Sequence, residues 1–174
     1  MNYTPEQFAQ AVLKALESLN DTDLSKLPLQ ERKDLARNPN TPPETLTILA
    51  RDEDEVVRYG VVCNPNTPPE TLTLHARDKE WGVRWRVADN PNTPPETLAI
   101  LVRDKDVYVR QGVAYNPNTP PEILTILSQD EDLEVRLGVE RNPNYYQDVI
   151  LKTQIKALKT HIAAVQYIID NIRP

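Results

Sequence analysis

Cysteine is almost absent from this chain, glycine is scarce, and basic residues are outnumbered by acidic ones. Cys63 is the single cysteine, which excludes an intramolecular disulfide and a metal site built from several cysteines of this chain. The net charge of −6 disfavours nucleic acid as a partner, because binding by phosphate neutralisation needs basic charge. There is no apolar run of transmembrane length, and residues 1–10 lack the features of a secretion signal. We therefore expect a soluble cytoplasmic protein without a membrane partner.

What the chain has instead is an internal repeat. The segment Asn-Pro-Asn-Thr-Pro-Pro-Glu begins at Asn38, Asn64, Asn90 and Asn116 and starts once more at Asn142, always 26 residues apart. A fixed period of this size indicates stacked supersecondary units. The 16 prolines are concentrated in these segments, where they mark the ends of helices and do not indicate disorder.

Each repeated segment is typical of a helix end followed by a helix start. An asparagine before proline favours extended backbone and ends the preceding helix. Thr41 then has the character of an N-cap, and Glu44, three residues later, completes a capping box. Pro42 and Pro43 fall in the first helical turn, where a missing amide costs no intrahelical hydrogen bond.

Every repeat is predicted to contain two helices. The first runs from about Pro42 to Arg51, and its apolar arc is wide enough that we expect neighbours on both sides. The second runs from about Glu55 to Val62 and carries two valines four residues apart that form a narrow buried seam. The valine pairs are Val57 and Val61, Val83 and Val87, Val109 and Val113, and Val135 and Val139.

The repeat divides the chain into three parts. Residues 1–37 are predicted to form a capping helix, from about Pro5 to Leu19, and a half repeat around Leu29 to Arg37. Residues 38–144 hold four repeats, 38–63, 64–89, 90–115 and 116–141, and the start of a fifth. Residues 145–174 are expected to form one long or two shorter helices that close the stack, with a membrane-surface helix as the alternative.

Aspartate and arginine recur six residues apart in each repeat. The pairs are Asp52 and Arg58, Asp78 and Arg84, Asp104 and Arg110, and Asp130 and Arg136. A guanidinium can bond a carboxylate and backbone carbonyls together, either within its own repeat or across to the next. Catalysis would require four identical active sites, so we interpret the pairs as a structural ladder and expect no enzyme activity.

Other polar positions also have structural interpretations. His75 stands where other repeats have leucine, which indicates a neutral, hydrogen-bonded core histidine. Asp54, Asp106 and Asp132 are predicted to cap the second helices. A calcium loop would need a glycine and a distal glutamate that are missing, so no metal site is expected.

The repeat unit, NPNTPPExLxxLARDxDxxVRxGVA, resembles the leucine-rich repeat variant family and, more distantly, HEAT and armadillo repeats. The resemblance covers about Asn38 to Asn144 and implies an all-α, right-handed solenoid of helix pairs without a sheet, in which the second helix can be partly of the tighter 3₁₀ form. Some relatives carry a cysteine-bound iron–sulfur module, which one cysteine cannot hold, so no cofactor is expected. HEAT-like scaffolds mostly bind proteins, and a minority attach chromophores or repair alkylated DNA.

The positions that vary between repeats identify a candidate binding surface. On each second helix they are spaced by four and share one face, which we call the second-helix ribbon. It comprises Glu55, Tyr59 and Cys63; Trp81, Trp85 and Asp89; Val107, Gln111 and Tyr115; and Leu133, Leu137 and Arg141, with Tyr108 beside it. Because exposed Trp, Tyr and Arg dominate interfaces, the predicted partner-binding residues are Tyr59, Trp81, Trp85, Arg86, Tyr108, Gln111, Tyr115 and Leu137.

Several functions remain open from the sequence. The leading hypothesis is a non-catalytic scaffold that binds a protein or peptide along the ribbon. The alternative is a HEAT-like protein that handles nucleic acid or a chromophore, with Trp81 and Trp85 as stacking residues. A third is an assembly spacer that makes contacts through the last helix. Packing between repeats is an equal possibility for the two tryptophans. The oligomeric state is not determined by the pattern, and a monomer is favoured over an oligomer.

Overall fold

The computed structural model describes residues 24–171, apart from the side chains of Gln147 and Asp148, and these residues form ten α-helices without a strand. The predicted helix from Pro5 to Leu19 lies outside the described residues. After a 3₁₀ turn at Leu24–Lys26 come α1 (Leu29–Arg37), α2 (Pro43–Leu49), α3 (Glu55–Cys63), α4 (Pro69–His75), α5 (Trp81–Asp89), α6 (Pro95–Leu101), α7 (Val107–Tyr115), α8 (Pro121–Leu127), α9 (Leu133–Arg141) and α10 (Pro143–Asn171).

The predicted all-α solenoid of helix pairs is confirmed. Each repeat consists of a seven-residue first helix and a nine-residue second helix, and second helices of adjacent repeats pack directly against one another. The 3₁₀ form that the resemblance allows for the second helix is not adopted, since α3, α5, α7 and α9 are α-helical throughout. The four valine pairs are at most 1% exposed and form the buried seam between the helices.

The threonine of the repeat does not cap the first helix, which corrects the predicted capping box. The residue before α2 is Pro42, and no side chain caps the helix. Thr41 instead is fully buried and donates its hydroxyl to the carbonyl of Leu35, at 2.6 Å. The equivalent threonines of the next three repeats do the same. The reason is that the last carbonyls of the preceding helix lack intrahelical partners, and the tight turn brings the hydroxyl back to them.

Aspartates cap the second helices, as predicted. Asp54 accepts from the amides of Val56 and Val57, and Asp106 and Asp132 cap α7 and α9 in the same way. In the second repeat the position holds Glu80, whose side chain makes no capping hydrogen bond. The start of α5 therefore differs from that of the other second helices.

The first helices have neighbours in two repeats, as expected, but their outer face is not covered by the described residues. Leu46 and Leu49 are buried in α2, but the position of Ile48 is exposed in the later repeats, at Leu74, Ile100 and Ile126. The first helices pack mainly against the second helices of their own and the preceding repeat. Their outer face has no such neighbour in the described part of the chain.

The last helix is single and long. No proline or glycine occurs between Pro143 and Pro174, so nothing divides α10 into a helix pair. Tyr145 packs against the core, but the residues from Val149 to Asn171 are all exposed. Only the beginning of α10 thus packs against the last repeat.

Candidate functional site

The Arg–Asp ladder runs between repeats. Arg58 donates through Nε and Nη2 to the carboxylate of Asp78 in the next repeat, at 2.7 and 3.1 Å, and through Nη1 to the carbonyls of Asp52 and Glu53 in its own repeat. The same two-pronged pairing joins Arg84 to Asp104 and Arg110 to Asp130. A bidentate pair fixes the relative position of two units, so the ladder sets the register of stacking.

The ladder extends one step beyond the predicted pairs at its beginning and is incomplete at its end. Arg32 of the half repeat lies 2.8 Å from the carboxylate of Asp52. Arg136 donates to the carbonyls of Asp130 and Glu131, and the position 26 residues beyond Asp130 is Lys156 instead of an aspartate. The sequence pattern therefore identified the residues, but not that Arg32, Arg58, Arg84 and Arg110 each pair with the aspartate of the following unit.

The bound arginines act on the pKa of the ladder carboxylates Asp104 and Asp130. Burial would raise the pKa of Asp104, but the hydrogen bonds from Arg84 and from the backbone of Asp106 outweigh it and hold that pKa below its usual value. The pKa of Asp130 is likewise lowered, chiefly by Arg110. A carboxylate already bonded by a guanidinium and an amide is poorly suited to act as a general base, which supports the structural interpretation.

His75 joins the ladder at the pair between the first two full repeats. It is 3% exposed, and its Nδ1 lies 3.3 Å from the Asp78 carboxylate that Arg58 also binds. Burial lowers the pKa of His75, although Asp78 opposes the shift. Its Nε2 has no hydrogen-bond partner among the described residues. The histidine is thus a buried core residue, as predicted, with one ring nitrogen unsatisfied.

A second ladder, of asparagines, was missed by the sequence analysis. Asn116 is buried and donates from Nδ2 to the carbonyls of Ala88 and Asn90 in the preceding repeat, and Asn64, Asn90 and Asn142 make corresponding bonds. The signal was the recurrence of the first asparagine at each period. We interpreted it only as a helix stop, yet its amide also ties neighbouring units together.

The helix junctions are close where glycine faces alanine. A Cβ atom built on Gly112 would lie 2.9 Å from the Cβ of Ala88, and Gly60 and Gly138 face Ala36 and Ala114 at the same distance. We call these α1–α3, α5–α7 and α7–α9 contacts the tight junctions. At the α3–α5 contact the same two positions hold Val62 and Arg86, and we call it the open junction.

A groove of about 390 Å³ lies at the open junction. Its walls include Tyr59 and Glu55 of α3 and Trp81 and Gly82 of α5. Nothing lies within 4 Å of a Cβ built on Gly82, so the backbone of α5 is open to an approaching ligand there. Two larger side chains in place of the glycine–alanine pair thus accompany a groove along the ribbon.

The predicted partner-binding residues fall into two groups by exposure. Trp81, Tyr108 and Tyr115 are exposed, by 48%, 55% and 38%. Half-buried positions are occupied by Tyr59, Trp85, Arg86, Gln111 and Leu137. The rings of Trp81 and Tyr108 are paired across α5 and α7, with centroids 5.6 Å apart. Two of the exposed aromatic side chains, Trp81 and Tyr108, therefore lie together where Trp81 lines the groove.

The two tryptophans have different environments. Trp85 packs against the core cluster, and its Cδ1 atom would lie 3.3 Å from a Cβ built on Gly112. The Arg86 guanidinium lies over the Trp85 ring at 4.3 Å and donates to the Tyr59 hydroxyl at 2.6 Å. These three side chains bridge α3 and α5, whereas Trp81 presents half of its surface to solvent. Packing between repeats accounts for Trp85, whereas Trp81 is left exposed beside the groove.

Within residues 24–171, no three His, Cys, Asp or Glu side chains are arranged to hold a metal ion. None of the described helices combines the length and apolarity needed to cross a membrane. A family model described as leucine rich repeat variant matches residues 29–54, and one described as leucine rich repeat variant domain matches residues 83–143. Comparison with curated proteins and with solved structures found no match.

Proposed function

Because residues 29–54 and 83–143 make this chain a member of the leucine-rich repeat variant family, we propose that it is a non-catalytic repeat scaffold that binds a protein segment on the second-helix ribbon. The observation that carries this proposal is the exposed Trp81–Tyr108 pair at the edge of the groove. Large aromatic side chains that are accessible yet held by a rigid helix are typical anchors of interfaces, because they bury much area at little entropic cost.

The groove favours a partner segment with a bulky apolar side chain next to a basic one. Tyr59, Trp81 and Gly82 provide apolar walls and an open backbone for the apolar side chain. Glu55 and Glu80 contribute two carboxylates to the same groove against the one guanidinium of Arg37, and the chain as a whole carries a charge of −6. Electrostatic complementarity would steer a basic segment toward this surface and orient it.

The nucleic-acid or chromophore alternative receives less support from this geometry. Sequence-tolerant stacking needs accessible aromatic faces along a basic groove. Arg86 covers the Trp85 ring, and Tyr108 lies beside the Trp81 ring, so the two indoles do not form one continuous platform. Titration with single-stranded DNA at low and high salt tests this alternative, which requires binding at low salt that weakens as salt is added.

The proposal can be tested by selecting peptides from a random display library on the purified protein. We expect the selected peptides to share an aromatic or long aliphatic residue flanked by Lys or Arg. The variant Trp81→Ala/Tyr108→Ala should weaken their binding by at least about 30-fold, the factor that corresponds to a loss of about 2 kcal/mol. Trp85 is left unchanged in this variant, because its ring also packs between repeats.

A matched control removes two exposed apolar side chains from the first helices. Leu74 and Ile126 are 55% and 46% exposed and lie outside the ribbon, so Leu74→Ala/Ile126→Ala should bind the selected peptides like the unmodified protein. Circular dichroism checks that both double variants remain helical. Equal binding to the Trp81→Ala/Tyr108→Ala variant, or equal loss in the control, would exclude the ribbon as the binding surface.

A further inference from the structure

The exposed part of α10 carries a regular apolar seam. From Leu151 onward, six apolar residues are separated alternately by four and three positions, and each is between 42% and 66% exposed. They are Leu151, Ile155, Leu158, Ile162, Val165 and Ile169. The next position of the pattern in the sequence, 172, is again isoleucine. We call these six residues the α10 seam.

The spacing of the α10 seam is that of a coiled coil. Its mean of about 3.5 residues keeps the seam facing a partner helix as the two helices supercoil, whereas the side of a helix on a globular core follows a period of 3.6. From Leu151 to Ile169 the seam is about 28 Å long at a rise of 1.5 Å per residue. The other helices of the described chain have seven or nine residues, so none of them matches this length.

We propose that the α10 seam binds the same seam of a second copy of this chain, as a parallel two-stranded coiled coil. The three a positions of the heptad are Ile155, Ile162 and Ile169, and the d positions hold Leu151, Leu158 and Val165. A β-branched residue at a with leucine at d favours two parallel strands over three or four. Two of the three d positions are leucine and the third is Val165, so the residue choice fits two strands, and a second copy of the chain supplies a seam of the same length and spacing.

The residues beside the seam permit this pairing. The e positions hold Lys152, Lys159 and Gln166, and the g positions hold Gln154, His161 and Ile168. In a parallel dimer each g residue faces the e residue of the next heptad on the partner helix. Gln154 then faces lysine and His161 faces glutamine, so no two like charges oppose each other at neutral pH.

A membrane surface fits the helix less well. Interfacial helices carry many Lys and Arg residues on their polar face. Residues 143–171 contain three lysines and two aspartates, a net charge of only +1, on a chain of net charge −6. Six of the exposed apolar residues of α10 lie in one seam that a second helix would cover, and Val149, Ile150, Tyr167 and Ile168 lie outside it.

The test measures the mass of the whole chain by sedimentation velocity between 1 and about 200 μM, a range chosen because a seam of about three heptads is short for a coiled coil. We expect a concentration-dependent shift from 19.9 kDa to twice that mass. The variant Ile155→Lys/Ile162→Lys should raise the dissociation constant at least about 100-fold and leave a monomer, since two charges would be buried in the seam. Fluorescence of Trp81 and Trp85 in the second repeat reports that the stack remains folded.

The control variant Ile150→Lys/Tyr167→Lys places the same two charges at the c and f positions of the same helix, which face away from the seam. It should dimerise like the unmodified chain. Orientation is tested with Cys63→Ser/Leu151→Cys, which diamide should oxidise to a disulfide-linked dimer, because like d positions meet in a parallel pair. In an antiparallel pair the two introduced thiols would lie at opposite ends of the seam.

Four results would overturn the proposal. They are a monomer over the whole concentration range, a dimer that survives Ile155→Lys/Ile162→Lys, a trimer or larger species, and a dimer that diamide does not link through position 151. A monomer that sediments with vesicles of phosphatidylserine and phosphatidylcholine would assign the seam to a membrane surface instead.

Discussion

The open junction and the tight junctions share one ladder but differ in how closely their helices can approach. Arg58 pairs with Asp78 across the open junction with the same geometry that Arg84 and Asp104 have across a tight one. The glycine–alanine contact of the tight junctions is replaced by Val62 and Arg86 at the open one. Register and spacing are therefore set by separate residues, so a repeat can change its surface and keep its register in the stack.

The largest effect is expected from breaking the ladder. Asp104→Ala should lower the free energy of unfolding by about 3 kcal/mol, because Arg84 would stay buried without its carboxylate. Asp78→Ala at the open junction should cost at least as much, since His75 also loses its partner. Urea unfolding followed by circular dichroism measures both. A loss below about 1 kcal/mol at either site would contradict a common ladder.

Replacing a glycine by alanine should have opposite effects on stability at a tight junction and in the groove of the open junction. Gly112→Ala should destabilise the protein by about 1 to 2 kcal/mol, because the new Cβ would lie 2.9 Å from that of Ala88. Gly82→Ala in the groove is the matched control and should stabilise α5 by about 0.5 to 1 kcal/mol, since the site has free space and alanine favours a helix. If the two changes had the same sign in urea unfolding, the distinction between the junctions would fail.

His75, which lies at the ladder pair of the open junction, should make the stability of the protein depend on pH. Because burial lowers the pKa of His75 in the folded protein, the unfolded chain takes up the proton first as the pH falls below about 6.5. Stability should therefore fall with pH from that point down to the folded-state pKa. Asp78 has a lowered pKa and stays ionised in both states over this range, and Arg58 keeps its charge.

His75→Leu, which installs the residue of the other repeats, should remove this loss. We also expect a gain of about 1 kcal/mol at pH 7.5, because an unsatisfied buried nitrogen disappears. Chemical denaturation of both proteins at pH 7.5, 6.5 and 5.5 measures the effect. Parallel pH curves for the two proteins would show that the histidine does not cause the dependence.

The smallest effect is expected at the start of α5, beside the open junction. Glu80→Asp should stabilise the protein by about 0.5 kcal/mol by introducing the cap that the other second helices have. The reverse change, Asp106→Glu in α7, should cost a similar amount. Thermal unfolding midpoints of the two variants should shift in opposite directions, and a shared direction would contradict the capping argument.

The sequence predicted the fold better than the site, for physical reasons. The repeat period, the helix boundaries and the valine seam follow from the spacing of residues along the chain, and the same spacing occurs in every repeat. Thr41 and Asn64 bond backbone carbonyls of the preceding helix and the preceding repeat. Which carbonyls they reach depends on the path of the turn between the helices, and the local sequence does not determine that path. Whether Trp85 packs or binds depended on Gly112, 27 residues later. For Trp81, which is paired with Tyr108, the variation between repeats was sufficient to predict that the side chain is exposed.

The hydrogen bonds that join neighbouring repeats connect residues that are close together in the sequence. The ladder arginines reach 20 residues ahead, and the asparagines reach 26 to 28 residues back. Chains whose contacts are local fold rapidly, because little loop entropy is lost before each contact forms. Folding should therefore begin at any one junction and spread to its neighbours, and whole repeats could be added or deleted without creating a new topology.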